Sequence, residues 1–396
     1  VIRLSRRGEE MPPSPIRKLV PFADAAKADG KTVYHLNIGQ PDIKTPKIMM
    51  DAFRNHDLEI LEYGHSAGLV EYRKKLAGYY QKHDIAVTSN DIIITTGGSE
   101  AIIFAMMATM DPGDEIIVPE PFYTNYNGFA REAQVTVVPV TCKPEDGFAL
   151  PPNTDVEAKI TNKTRAIMLC NPGNPTGYIY TKDEMQGIAG LCEKYSLFFM
   201  SDEVYREFTY DGRTHNSVMH LPNMTQNAIM LDSVSKRYSA CGARIGALVS
   251  KNAAVVDAAL RLGQARLCPP TMEQLAGMAA IDTPDEYFTE VVEEYSNRRD
   301  SVYNALAAMD GVMVKKPGGA FYLVASLPVQ DADHFCQWLL TDFSDNDETL
   351  MLAPANGFYA TPGLGKNEVR IAYVLNIPHL ERSMAILKKA LKEYKQ

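Results

Sequence analysis

The chain has 396 residues, 45% of them hydrophobic and 22% charged, with a formal net charge of −9 and a pI of about 5.5. That length supports a large core and more than one domain. The acidic balance gives no basic field for nucleic acid, and no apolar run reaches the roughly 18 residues of a membrane span. It leaves small anionic substrates open, because a cationic pocket can sit inside an acidic protein.

The N-terminal stretch VIRLSRRGEE lacks the apolar centre of a signal peptide, so the expected location is the cytoplasm. Cys142, Cys170, Cys192, Cys241, Cys268 and Cys336 form no CxxC pair and read as buried free thiols. The histidines show no metal-ligand spacing, and no metal is expected.

Residues 1–18 are basic and proline-rich (MPPSPIRKL) and read as an extended arm, either free or lying on another subunit. From residue 90, strands and helices alternate. DIIITTG (91–97) is a β-branched run ending in glycine, and SEAIIFAMMATM (99–110) has helical spacing. The strand-like runs DEIIVPEP (114–121), QVTVVPV (134–140) and RAIMLCNP (165–172) follow. A helix near 181–195 then leads to LFFMSDEVY (197–205), AIMLDSVS (228–235) and IGALVS (245–250). Near-continuous apolar strands between helices predict an α/β fold with a mostly parallel sheet covered on both faces. A long helix at 285–309 leads into a smaller α+β unit. Its strands fall at 320–326, 350–353 and 368–374, and its helices at 331–342 and 378–394. The expected division is an arm and part of the small domain at 1–45, a large domain at 46–290 and a small domain at 291–396.

Functional residues of an open α/β sheet gather at the carboxyl ends of its strands. TTGGSEA (95–101) joins a strand end to a helix start. Gly98, Ser99 and the Glu100 N–H could cradle a phosphate there, or the run could be a plain tight turn. NPGNPTG (171–177) is a rigid turn able to aim an asparagine amide at a ligand. SDEVYREF (201–208) puts Asp202 at a strand end, as a site carboxylate or a cap, with Tyr205 three residues on. In SVSKRYSACGARIG (233–246), Lys236 follows an apolar strand. A lysine beside apolar surroundings and other cations can act as an amine nucleophile. Arg244 lies between two glycines and could clamp a phosphate. Arg370 of VRIAY (369–373) has apolar strand neighbours, so it should meet an anion, either structural or substrate.

Together these residues resemble the class I/II aminotransferases of the fold-type I pyridoxal-phosphate enzymes, over nearly the whole chain. NPGNPTG, SDEVY and SVSKRYSACGARIG occur in the family's order and approximate spacing. The C-terminal stretch is most similar to a bacterial aspartate-aminotransferase-like subgroup. The resemblance implies a large domain with a mixed, mostly parallel sheet between helices, plus a smaller α+β domain.

It also implies roles. Lys236 is the lysine that bonds the pyridoxal phosphate aldehyde, and Asp202 faces the pyridine nitrogen. Asn174 and Tyr205 bond the phenolic oxygen, and Tyr123 stacks on the ring. Gly98, Ser99, Ser233 and Arg244 hold the phosphate, with Tyr63 of EYGHSAG reaching across from a partner subunit. Arg370, Asn174 and the Gly39 backbone bind the substrate α-carboxylate.

The implied reaction passes an amino group between an amino acid, aspartate-like by preference, and a 2-oxo acid, in a homodimer with shared active sites. No second arginine for a distal carboxylate is identifiable, and the loop ANGFYATPGLGKNE before Arg370 is subgroup-specific. A β-lyase would share the lysine, aspartate and phosphate groups. A non-catalytic cofactor-binding regulator often carries a DNA-binding module ahead of this fold, for which the 35 residues before LNIGQPD are too few and the charge is wrong.

Overall fold

The computed structural model describes residues 2–395, which form three sheets. The strands are β1 (Thr32–His35), β2 (Ile92–Thr95), β3 (Glu115–Glu120), β4 (Thr136–Thr141), β5 (Thr164–Cys170), β6 (Phe198–Asp202) and β7 (Ala228–Ser233). They continue with β8 (Gly246–Val249), β9 (Met313–Val314), β10 (Tyr322–Ser326), β11 (Glu348–Met351), β12 (Ala353–Pro354) and β13 (Glu368–Ala372).

The largest sheet has seven strands in the order β2-β8-β7-β6-β5-β3-β4. Only β8 runs antiparallel to its neighbours. Side chains alternate across a strand. Here one face places Ile116, Val118, Met168, Met200 and Ile229 in one apolar cluster. The other places Ile117, Ile167, Leu169, Phe199 and Met230 in a second. Both faces are apolar, so the strands read as continuous hydrophobic runs. Because β5, β6 and β7 are parallel, their carboxyl ends deliver Asn171, Asp202 and Ser233 to one edge.

The smaller sheet, β12-β13-β10-β9, is antiparallel, and β1 pairs in parallel with β11. The long helix Asp285–Ala307 connects the two regions. Buried Arg299 on it clasps Asp211 through both terminal nitrogens, at 2.8 and 2.9 Å. Arg298 reaches Asp42 at 2.6 Å.

Three features depart from the sequence expectation. The arm is not wholly extended: Arg6–Glu9 forms a helical turn, whose start is capped where Ser5 Oγ accepts from the Gly8 N–H. The region before residue 90 also contains the helices Val20–Ala28, Lys47–Arg54 and Val70–Lys82. The buried faces of the first and third are built mostly from alanines and tyrosines (Ala23, Ala26, Tyr72, Ala77, Tyr79, Tyr80), which give a weak apolar period, and the second buries only Met49. The six cysteines are all unpaired, but Cys241 and Cys268 are only half-buried. Cys241 lies on a cavity wall rather than in the core.

Candidate active site

Ser233 ends β7 in an extended conformation, and its Oγ accepts from the Ser235 N–H at 3.1 Å. This cap starts the turn Val234–Arg237, which carries Lys236. Lys236 Nζ donates to the Gly39 carbonyl at 2.9 Å and lies 3.5 Å from Cys241 Sγ.

The turn stands on a buried ionic network. Arg237 donates to both oxygens of Asp232, at 2.8 and 2.6 Å, and to Glu207 at 2.7 Å. Tyr80 donates to Asp232 at 2.8 Å. Burial alone would raise the Asp232 carboxyl, but the Arg237 and Arg206 guanidiniums hold it down at about 2. The residue next to Lys236 is therefore anchored by paired charges.

Lys236 faces a cavity of about 320 Å³. Of the residues singled out in the sequence, Gly39, Gly98, Ser99, Tyr123, Asn174, Asp202, Tyr205, Ser233, Lys236, Arg244 and Arg370 line it. Glu100 and Tyr63 do not. Glu100 turns away, accepting from the Thr96 N–H at 2.8 Å and pairing with Arg266 at 3.0 Å. Its own N–H is the first to fall within the helical ladder of Gly97–Thr109. Tyr63 is 81% exposed.

Each group has a distinct environment. Asp202 Oδ2 accepts from the Tyr126 hydroxyl at 2.7 Å, while Oδ1 is buried with no hydrogen-bond partner among the described residues. Burial pushes this carboxyl up to about 6. The Tyr205 hydroxyl lies 2.9 Å from that of Tyr322 and 3.5 Å from Asn174 Nδ2. Burial raises the Tyr205 phenol well above its ordinary value. Tyr123 accepts from Asn125 Nδ2 at 2.8 Å, and burial pushes its phenol up to about 12.

Arg370 is buried on β13, where burial lowers its pKa. Nη1 donates to Asn174 Oδ1 at 3.0 Å and Nη2 to the Asn37 carbonyl. The guanidinium lies 4.6 Å from the Tyr322 ring centre and 4.9 Å from that of Phe358. No carboxylate pairs with it among the described residues, and its Nε is buried without a partner.

The far corner is shaped for an anion. Gly97 (φ +78°) begins the helix, and a Cβ there would collide with the Arg244 guanidinium. A Cβ on Gly246 would lie 2.5 to 2.8 Å from Gly97, Gly98 and Asp232 backbone atoms. Glycine at these points lets the helix start, β8 and Arg244 converge. The first-turn N–H groups have no partner inside the helix and carry its positive dipole.

Sequence reasoning missed Arg17, Asn37, Tyr126, Ser235, Cys241 and Tyr322. Tyr126 had a local signal, one helical turn beyond Tyr123. Tyr322 had none: it meets Tyr205 only because Gly39 lacks the Cβ that would overlap its hydroxyl.

A model of the family described as "Aminotransferase class I and II" matches residues 31–381. Aspartate aminotransferase of Bacillus subtilis is 29% identical over 404 residues, covering 99% of this chain and 100% of that protein. The fold superimposes on a single mutant of Thermus thermophilus aspartate aminotransferase with a TM-score of 0.90 at 28% identity, covering 98% and 100% of the two chains. Alanine aminotransferase from Pyrococcus furiosus gives 0.90 at 30% identity, covering 99% and 100%. The chain belongs to the class I and II aminotransferase family. It is a transferase of amino groups, and membership implies dependence on pyridoxal phosphate. No helix among the described residues is long and apolar enough to cross a membrane.

Proposed function

We propose that the cavity holds pyridoxal phosphate at Lys236 and that the enzyme moves amino groups between an aspartate-like amino acid and a 2-oxo acid. The observation that carries this reading is the buried, unpartnered Oδ1 of Asp202 in the same cavity as Lys236 Nζ and the glycine–Arg244 corner. A carboxylate oxygen, an amine and an anion cradle are the three anchors that a pyridine nitrogen, an aldehyde and a phosphate require.

Pyridoxal phosphate, when bound, supplies an aldehyde that bonds amines and a ring that accepts electrons. Asp202 pairs with the ring nitrogen and keeps a proton on it. Tyr126 holds the other carboxylate oxygen and so fixes its direction. Arg244, Ser233 and the N–H groups of Gly98 and Ser99 hold the phosphate. Tyr205 and Asn174 bond the phenolic oxygen, and Tyr123 covers one ring face. Arg370 grips the substrate α-carboxylate with Asn174, and the Gly39 backbone lies beside it. Lys236 takes the proton from the substrate Cα and returns it at the aldehyde carbon. Orientation of the Cα–H bond by these contacts contributes on the order of 7 kcal/mol or more.

Aspartate specificity is favoured by the similarity to the aspartate aminotransferases of Bacillus subtilis and Thermus thermophilus. A homodimer with shared sites is supported by one stretch of exposed apolar residues, Ile60 (70%), Leu61 (66%) and Tyr63. In it, Tyr63 would reach the partner's phosphate corner. The grouping of residues 1–45 with the small domain is supported by the pairing of β1 with β11, and the proposed division at 290 falls within the long helix that begins at Asp285. We assign the enzyme to the cytoplasm.

A half-reaction screen tests the reading. Each amino acid is mixed with holoenzyme while absorbance follows conversion of the cofactor from aldehyde to amine. Conversion by aspartate or glutamate is expected. Pyruvate release from a β-substituted amino acid, without amine-form cofactor, would identify a lyase instead.

A further inference from the structure

We propose that Arg17 receives the side-chain carboxylate of the substrate, so that the N-terminal segment selects dicarboxylic amino acids. This rests on the assignment of the cavity as the cofactor and substrate site.

The case begins with charge. Four cations line the cavity (Arg17, Lys236, Arg244 and Arg370) against one carboxylate, Asp202. In the proposed assignment, Arg244 meets the phosphate, Arg370 the α-carboxylate, Asp202 the ring nitrogen and Lys236 the aldehyde. Arg17 is left over. Its side chain makes no ion pair and no hydrogen bond among the described residues; only its backbone is engaged. Arg17 is an exposed cation on the cavity wall, and an unpartnered guanidinium there fits a carboxylate with two parallel bonds.

Its position is built. The Arg17 N–H donates to Ser14 O at 3.2 Å, and its carbonyl accepts from the Val20 N–H at 3.0 Å. On either side, Lys18 pairs with Asp333 and Leu19 is buried. Pro15 packs against Gly357, where any Cβ would overlap the proline ring. Most telling is Asn37. Its side-chain amide donates to the Ile16 carbonyl at 3.4 Å, and its own carbonyl accepts from Arg370. One buried residue thus links the backbone beside Arg17 to the arginine assigned to the α-carboxylate. Ile16 and Ile38 also line the cavity and offer an apolar wall to the methylenes between two carboxylates.

The test uses holoenzyme of wild type, Arg17→Gln and Arg17→Lys. Steady-state kinetics with aspartate, glutamate and alanine are paired with calorimetric binding of succinate and butyrate. Arg17→Gln should lower the aspartate-over-alanine ratio of kcat/KM by about 10- to 100-fold, mainly through KM. Succinate affinity should fall in parallel while its margin over butyrate disappears, and Arg17→Lys should restore part of both. An unchanged ratio, or equal losses for succinate and butyrate, overturns the proposal. Wild-type turnover of alanine but of neither aspartate nor glutamate also overturns it, and leaves the cofactor site standing. Absence of turnover with every amino acid would instead overturn the site assignment beneath it.

Discussion

The Tyr126 hydroxyl bonds Asp202 Oδ2 at 2.7 Å and leaves Oδ1 buried without a hydrogen-bond partner among the described residues, on a side chain that lines the cavity. One oxygen is fixed by the protein and the other is kept for a ligand. The carboxyl is correspondingly strained in its ionisation, raised by burial to about 6.

That shift sets a pH dependence in protein stripped of cofactor. The folded state holds this proton more tightly than the unfolded chain, whose value is 3.8. The stabilising share is complete below the unfolded value and is lost as pH rises through about 6. Cofactor-free Asp202→Asn should therefore gain on wild type by on the order of 2–3 kcal/mol between about pH 4 and 7, read by urea unfolding. A gap that does not change with pH would show that another group titrates.

Lys236→Ala should lose turnover by roughly 10³-fold or more, because both the amine nucleophile and the proton carrier are removed. The Arg244 corner is intact in this variant, so cofactor should still bind, with the absorbance of a free aldehyde. Stopped assays and spectra of the purified variant check both. Turnover at the wild-type level would refute the assignment.

Arg370→Lys keeps a charge but loses the planar fork that also reaches Asn174 and Asn37. The expected result is a fall in kcat/KM of about 10- to 100-fold for aspartate and alanine alike. An effect on aspartate alone would move the distal role from Arg17 to Arg370.

Glu120 is fully buried at the end of β3. It accepts from the Thr141 hydroxyl at 2.8 Å and from the N–H groups of Ala360 and Thr361 at 2.8 and 3.0 Å. It is the post to which the loop before Arg370 is tied. Glu120→Ala should cost about 2–4 kcal/mol by chemical denaturation and speed amide exchange at residues 360 and 361. Unchanged exchange there would mean that the loop is held from elsewhere.

The large sheet was legible because its strands are apolar on both faces and end in glycine, proline or acid. The same punctuation marked Asp202, Asn174, Lys236 and Arg244, which line one cavity, since a parallel sheet gathers its carboxyl ends on one edge. What could not be read is pairing between distant segments. Tyr322 and Arg370 come together through the β10–β13 register, in which Val324 lies opposite Arg370. Asn37 and Arg17 join them only once β1 has docked on β11. Glu100 lies off the cavity for a local reason: by the fourth residue the helix already uses its own N–H groups, and the side chain has Arg266.

Docking of β1 has a consequence for synthesis. Thr32 lies opposite Glu348, nearly the whole chain away. At roughly 5–20 residues per second, β1 leaves the ribosome about 15 to 60 s before its mate exists. Through that interval Arg17 and Asn37 have nowhere to settle, while the last strand of the large sheet is complete at Val249, about 100 residues before that mate. The end of the pocket that carries Arg17 is thus finished last, after the glycine–Arg244 corner.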